Sequence, residues 1–265
     1  MRGLWRTIAN LGQGGLRGLS YLGGLLVFAS EALSTCWWYP GFSNSLASQA
    51  VLIYRRCLLP VIFLLLPLGA MLALQGLLVV KAFDLHRLFS AQLMSALVRE
   101  MAPGFAALMV AMQAGAGLTA ELGTMTVRQE TLALKTMGLD PTGFLGGPRI
   151  LAIILATLLL CPVGVLAGVA GAFIYAVLLG GFPLQQFVIH IGDLIHFSDL
   201  WTAEFKCLVF GLLTGIICTE AGLKNSIRSA AHVGHAANQA VVRCVVLLVV
   251  ANYLLNTGLY GLRGG

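Results

Sequence analysis

The chain has 265 residues, of which 58% are hydrophobic and only 10% are charged, and its mean hydropathy is +0.91. Because soluble domains carry about 25% charged residues, this composition excludes an ordinary soluble enzyme and predicts an all-α integral membrane protein with one domain over residues 1–265. The net charge of +6 does not indicate nucleic-acid binding, since the basic residues are scattered beside apolar stretches, as the positive-inside rule expects.

The first segment, about residues 1–45, has the composition of a helix that lies in the membrane surface. Trp, Tyr and Arg residues stand among Leu and Gly, and aromatic and basic side chains suit the headgroup zone. Glu31 leaves only about 12 to 15 apolar residues before it, and a crossing needs about 20. We therefore predict an interfacial helix on the cytoplasmic face, with a true span over 19–33 as the alternative.

Five apolar stretches then follow that are long enough to cross a bilayer and that form a predicted bundle over about 55–262. They cover about 57–80, 95–120, 150–179, 205–223 and 240–262. Small residues recur at helical spacing in the second and third stretches (Ala107, Ala111 and Gly115; Gly164, Gly168 and Gly171). Such edges allow close helix packing within or between subunits.

The basic residues assign the two sides of the membrane. They cluster at 2–56, 128–149 and 224–243, and the loops between these clusters are poorer in Lys and Arg. Five spans with a cytoplasmic N-terminus and an outer C-terminus satisfy this alternation. The acidic-leaning loop at 180–202 then lies outside.

The stretch between the second and third spans combines many charges with clear helix punctuation. A short helix is predicted from about Val127 to Met137, with Gly138 as a left-handed cap and Pro141 preventing continuation. Helical spacing places Arg128, Leu132 and Lys135 on one face, which forms a basic edge, and Val127, Thr131 and Leu134 on another. A helix of this kind suits docking on a cytoplasmic partner, and a solvated linker helix is the alternative.

This same stretch resembles the signature of the MlaE/YrbE permeases. The matching segments are AGxGLTAELGxM, E-x-x-AL-x-x-MG-x-DP and PR-x-LA, and the similarity extends from about Leu72 to the C-terminus and loosely to the N-terminal helix. These permeases are the membrane subunits of ABC transporters that work with MCE (mammalian cell entry) proteins on lipids. Where the family often has Arg in an AGRAG context, this chain has Gln113, so no role based on that charge carries over.

The resemblance implies a homodimer in the bacterial inner membrane, with its C-terminus in the periplasm. It would pass phospholipid or a similar lipid to or from a periplasmic MCE protein, a task connected with outer-membrane lipid asymmetry. A separate cytoplasmic ATPase would bind and hydrolyse ATP. The chain itself contains no G-x-x-x-x-G-K-[ST] loop, and we expect it to be non-catalytic, without a metal or a cofactor of its own.

The resemblance also implies a lipid cavity at the dimer interface, walled by span one and rimmed by span two. The matching positions are Leu72, Leu74, Gln75, Val79, Val80, Phe83, Arg99, Glu100 and Met101. The sequence marks two of these independently, because charges inside an apolar span are costly and are kept mainly where they face a cavity or each other. Ordinary interfacial charges are the alternative for Arg99 and Glu100.

The predicted ATPase-coupling segment covers about 121–141. Its candidate residues are Glu121, Arg128, Glu130, Leu134, Lys135, Met137, Gly138 and Asp140. Glu121 follows the Gly-rich end of span two, where we expect it to bond helix-end amides. A plain interfacial carboxylate is the alternative.

The remaining polar and sulfur residues give weaker signals. Six cysteines without a C-x-x-C motif indicate small buried side chains rather than a disulfide or zinc framework. The helical spacing of His190, Asp193 and His196 could in principle place them around a metal ion, but we interpret them as part of a solvated loop. His232 and His235 are interpreted as polar groups at the membrane interface.

Two other functional classes remain open: an ion-coupled secondary transporter or channel, and a structural membrane anchor for an MCE assembly. The lack of charges near the middle of spans three and five disfavours ion coupling.

Overall fold

The computed structural model describes residues 20–35, 41–83, 95–189, 197–224 and 227–260, apart from Leu22, Gln186 and Val188, and gives only the backbone of 79–83, Phe197 and Tyr260. These ranges are helical, with turns and short connections and no strand among them. We number the main helices α1 (23–35), α2 (Phe42–Phe83), α3 (Leu97–Val127), α4 (Glu130–Thr136), α5 (Thr142–Leu179), α6 (Phe197–Gly222) and α7 (Ala230–Tyr260). Among the described helices, α2, α3, α5, α6 and α7 are long and apolar enough to cross a membrane, which confirms the five predicted spans.

Four of the five spans begin earlier than the hydropathy pattern predicted. Their first residues are Phe42 instead of about Cys57, Thr142 instead of Ile150, Phe197 instead of Phe205 and Ala230 instead of Ala240. Hydropathy marks the part of a helix that lies in hydrocarbon, whereas the hydrogen-bonded backbone continues into the headgroup zone. The predicted boundaries were therefore wrong at these ends.

These longer helices move several polar residues out of predicted loops. His232, His235 and Arg243 lie on α7, and Asp199 lies on the first turn of α6. Residues 42–45 belong to α2 rather than to the N-terminal segment, of which the structure describes 20–35. His190, Asp193 and His196 lie outside the described residues.

Helix α5 packs against α2 along a seam of glycines. A Cβ atom on Gly69 would lie 1.9 Å from the carbonyl oxygen of Gly168, and one on Gly171 would lie 1.8 Å from that of Leu66. Two helix backbones approach this closely only where neither has a side chain in the contact. The predicted edge of span three thus packs within the chain.

The small residues of α3 lie inside the bundle, and Gly115 meets α6. Ala107 and Ala111 are buried, and a Cβ on Gly115 would lie 2.7 Å from the Sγ of Cys218. The five described cysteines are buried and free, as expected for small apolar side chains. Close packing therefore fastens α3, α5 and α6 into the centre of the bundle.

Two contacts fix which helix ends lie together. Thr126, at the end of α3, donates to the carbonyl oxygen of Gly222 at 3.2 Å, and a Cβ on Gly123 would lie 3.3 Å from Val233. The end of α3 therefore lies beside the end of α6 and the start of α7. We call this side the α4 end and the opposite side the Arg99 end; the basic groups at 128–149 and 224–243 meet at the α4 end.

Candidate functional site

A cluster of polar side chains joins α3, α6 and α7 at the Arg99 end. Its members are Arg99, Glu100, Asp199, Lys206, Asn252 and Asn256. The pairs that bond between helices are 50 to 156 positions apart in the sequence. The bundle therefore assembles this network only when three helices pack together.

Arg99 and Asp199 form a two-pronged ion pair between α3 and α6. The Nε and Nη2 atoms of Arg99 each donate to one carboxylate oxygen at 3.1 Å. The Asp199 side chain is 10% exposed and that of Arg99 38%. This fork geometry is among the stronger polar contacts, and a carboxylate in the first turn of α6 also suits the helix dipole.

Lys206 is completely buried beside this pair. Its ammonium donates to the backbone oxygen of Arg99 at 2.6 Å and to the side-chain oxygen of Asn256, and it lies 3.5 Å from Glu100 Oε1. A buried charge is tolerated only where hydrogen bonds and an opposite charge replace water, and this site supplies both.

The local sequence of α3 prepares the acceptor for Lys206. Residues Leu97–Met101 form a π-helical turn, and Pro103 follows it. Pro103 has no N–H to donate to the carbonyl four residues earlier, as a regular α-helix would require. That carbonyl belongs to Arg99 and accepts a hydrogen bond from the Lys206 ammonium instead. Single π-turns of this kind are common at functional sites.

Glu100 forms the exposed side of the network. Its Oε2 accepts hydrogen bonds from Asn252 at 3.2 Å and Asn256 at 2.8 Å, while its side chain remains 41% exposed. It borders a groove of about 320 Å³ between α3, α6 and α7. The rest of the described lining is Met101, Gly104, Phe105, Leu108, Phe210, Leu248, Val249 and Asn252. The groove is thus apolar with one polar edge, as an amphiphile requires.

The other predicted lipid-contacting residues lie on α2, away from this groove. Leu74 and Gln75 are exposed and Leu72 is half-buried. The side chains of Val79, Val80 and Phe83 lie outside the described residues. Within one chain the structure therefore places Arg99, Glu100 and Met101 together, and the α2 side chains that it describes contribute nothing to the groove.

Sequence reasoning missed four members of the network: Asp199, Lys206, Asn252 and Asn256. Asp199 was assigned to a loop because the hydropathy rises only after it. A usable signal existed in the apolar second half of α7, where Asn252 and Asn256 are four residues apart and share a face of the helix. Lys206 within an apolar span was a comparable signal.

At the α4 end, a second ion pair joins α3 to α5. Arg149 Nη2 lies 2.6 Å from Glu121 Oε1, and Arg149 Nη1 donates to the backbone oxygen of Leu145 at 3.0 Å. Arg149 is buried and Glu121 is half-exposed. We expected Glu121 to bond helix-end amides, and the structure gives it this guanidinium as a partner. The pair fixes the base of the segment that contains α4.

Helix α4 itself is a single exposed unit. It covers Glu130–Thr136, because Gln129 takes a left-handed φ of 61° and separates it from α3; the predicted start at Val127 was wrong. The left-handed cap was correct: Gly138 has φ 80°, and its amide and that of Leu139 bond back to Lys135 and Leu134. Asp140 then caps α5, because its carboxylate accepts hydrogen bonds from the backbone amides of Thr142 and Gly143.

No residue of α4 is buried. Leu132 is 54% exposed and Met137, directly after the helix, 73%. Arg128 and Lys135 are also exposed, and Leu134 is half-buried. Helix α4 lies in the connection between α3 and α5 and exposes both apolar and basic side chains. An exposed apolar patch bordered by polar groups is typical of a surface that contacts another protein.

Comparison with known proteins identifies a family and several relatives of this chain. The model of the family described as Permease MlaE matches residues 46–257. A probable ABC transporter permease protein of Rickettsia typhi is 28% identical over 255 residues, which is 96% of this chain and 98% of that protein. A probable ABC transporter permease protein of Synechocystis is 30% identical over 160 residues, 60% of each chain.

One plant relative has a name that refers to a lipid. The chloroplastic protein trigalactosyldiacylglycerol 1 of Arabidopsis thaliana is 28% identical over 173 residues, which is 65% of this chain and 49% of that protein.

Proposed function

The chain belongs to the MlaE permease family of ABC transporter membrane subunits, and from this premise we propose that it moves phospholipid or a similar lipid between the bacterial inner membrane and a periplasmic MCE protein. A separate cytoplasmic ATPase drives the transport. The observation that carries the proposal is the groove beside Glu100, which is apolar along its length and polar at one edge. The lipid in the name of the Arabidopsis relative supports the same class of cargo.

The cargo path continues on α2. Its exposed Leu74 and half-buried Leu72 provide an apolar wall beside Gln75, and the family resemblance assigns Val79, Val80 and Phe83 to the same path. An extracted acyl chain must stay out of water, since each exposed CH₂ costs about 0.8 kcal/mol. The headgroup lies near Arg99 and Glu100, which form the rim.

A homodimer closes this path. The apolar stretches of α2 and α7 have only 28% and 17% of their residues buried within the chain, against at least 50% for α3, α5 and α6. A second copy packed on α2 and α7 brings the α2 wall of one chain toward the groove of the other. The alternative is that membrane lipid, without a second copy of the chain, covers the exposed faces of α2 and α7.

Photocrosslinking in the purified complex tests the cargo site. A crosslinking residue at Leu74 or Phe105 should capture lipid that survives purification, because both positions lie on the path. The control position is Leu159, which is 57% exposed on α5 and lies outside the proposed path. If these two positions retain no more lipid than Leu159 while the complex still transports, the path lies elsewhere.

The ATPase docks at the α4 end, which we place in the cytoplasm because its loops carry the basic clusters. Helix α4 fits a groove of the ATPase with Leu134 and Met137, while Arg128, Glu130 and Lys135 supply charged contacts. Gly138 and Asp140 fix the exit of the segment, and the pair of Glu121 with Arg149 fixes its base.

Substitutions in this segment test the coupling. Leu134→Asp and Met137→Asp should reduce co-purification of the ATPase at least about tenfold, because each removes an apolar contact and buries a charge. The matched control is Leu184→Asp, because Leu184 is 55% exposed and lies at the opposite end of the bundle. Unchanged ATPase association in both α4-segment variants would remove α4 from the mechanism.

An ion-coupled transporter is the second candidate, and the buried Lys206 beside Glu100 is the observation that favours it. Lipid transport by the purified complex in vesicles discriminates the two, since only the proposed function requires ATP. A chain that merely anchors an MCE assembly would move no lipid under either condition.

A further inference from the structure

A basic pocket opens at the α4 end, between the end of α6 and the start of α7. It has a volume of about 240 Å³, and its polar lining is Lys224, His232, His235, Gln239 and Arg243. We propose that this basic pocket binds the phosphate-ester headgroup of an anionic phospholipid, at a site separate from the groove at the Arg99 end.

The charges of the pocket favour an anion. Glu220 lies 2.8 Å from Lys224 and offsets its charge. The described contacts of Arg243 are with neutral groups, namely Gln239 Oε1 at 3.4 Å and the ring of Tyr21 at 5.4 Å. The guanidinium therefore keeps a net positive charge, and its planar fork matches phosphate oxygens. The two histidines add N–H donors within the same pocket.

The surroundings favour a lipid over a soluble phosphate ester. On α7, the exposed side chains of Val242 and Val246 flank Arg243, so an acyl chain can continue along the helix from the headgroup. Tyr21, which lies just before α1 in the chain, packs beside Arg243. On α1, Leu26 and Val27 are 70% and 64% exposed. Basic pockets between membrane helices on the cytoplasmic side are suited to anionic headgroups.

A bound headgroup would act on the segment next to the ATPase contact. Ile227, which lines the pocket, reaches to 3.4 Å from the position of a Cβ on Gly123. Gly123 lies on the last turns of α3, directly before the turn into α4. An occupied pocket thus holds the ends of α6 and α7 against the base of the coupling segment.

Thermal unfolding of the purified full-length chain in detergent measures the binding. Increasing amounts of phosphatidylglycerol, phosphatidylcholine or glycerol 3-phosphate are added, and the concentration that gives half of the maximal stabilisation is determined. We expect phosphatidylglycerol to act at a concentration at least about tenfold lower than phosphatidylcholine. A basic residue near an anionic lipid contributes about fivefold, so Arg243→Gln should weaken phosphatidylglycerol binding about fivefold. Lys224→Gln/Arg243→Gln should weaken it further, because Glu220 then loses its counter-charge.

Two further variants separate binding from folding. Gln239→Glu places a carboxylate beside Arg243 at an exposed position and should also abolish the preference for phosphatidylglycerol. Arg128→Gln removes an exposed charge at the same end of the bundle, outside the pocket lining, and should leave the preference intact. All variants are compared by their unfolding temperature without added lipid.

Three results would overturn the proposal. One is equal phosphatidylglycerol binding by the wild type and the pocket variants. Another is stabilisation by glycerol 3-phosphate at the same concentration as by phosphatidylglycerol, which would identify a soluble ligand. The third is loss of ATPase association in Gln239→Glu with unchanged lipid binding, which would assign the pocket to the ATPase interface. None of these measurements involves transport, so their outcome leaves the proposed function untouched.

Discussion

Replacing Lys206 by methionine should destabilise the bundle by about 3 kcal/mol. Hydrogen bonds between membrane helices contribute about 0.6 kcal/mol on average and at most about 1.7. Lys206 donates to the Arg99 backbone oxygen at 2.6 Å and to the Asn256 side chain, and it is completely buried, so both bonds belong near the upper value. Methionine fills most of the volume of the lysine stem without a polar atom, so lost packing adds little.

Reversible unfolding in mixed micelles, without added lipid, measures this difference. The matched control is Lys224→Met, since that lysine is 46% exposed and its pair with Glu220 is a surface contact that contributes about 0.5 kcal/mol. In the double variant Lys206→Met/Glu100→Gln, the two effects should be less than additive by about 1 kcal/mol, because both residues belong to one network. A Lys206→Met protein within about 0.5 kcal/mol of the wild type, or full additivity, would refute the argument.

Three further predictions follow from other parts of the bundle. In a background without reactive native cysteines, Ser198→Cys should react with an impermeant thiol reagent from outside intact cells and Thr136→Cys only after lysis; the reverse pattern would overturn the proposed orientation. Gly171→Ala should lower stability in detergent by about 1–3 kcal/mol, because its Cβ would lie 1.8 Å from a backbone oxygen of α2. The control Gly104→Ala places its Cβ in open space and should be neutral. Equal unfolding midpoints for the two variants would contradict the glycine seam. Glu121→Gln should destabilise by about 1–2 kcal/mol in the same assay, since a buried guanidinium loses its counter-charge, and a wild-type midpoint would argue against that pair.

The sequence alone determined those features that depend only on residues close to one another along the chain. Apolar stretches of about 20 residues predict spans whatever surrounds them, and all five were found. The turn after α4 was readable because Gly138 tolerates a left-handed φ and Pro141 cannot continue a helix. The glycines of α5 predicted close packing for the same reason: a missing side chain permits a short backbone distance wherever the partner lies.

Tertiary structure alone decided where the helices end and which polar groups meet. Hydropathy changes at the edge of the hydrocarbon, but a helix ends where its backbone hydrogen bonds end, so α2 and α7 begin 15 and ten residues before their predicted starts. The partners of Glu100 lie on other helices, up to 156 residues away, and no local pattern encodes such a distance. Lys206 became part of the site only through packing, because the carbonyl that Pro103 leaves without its usual donor faces α6 in the folded bundle.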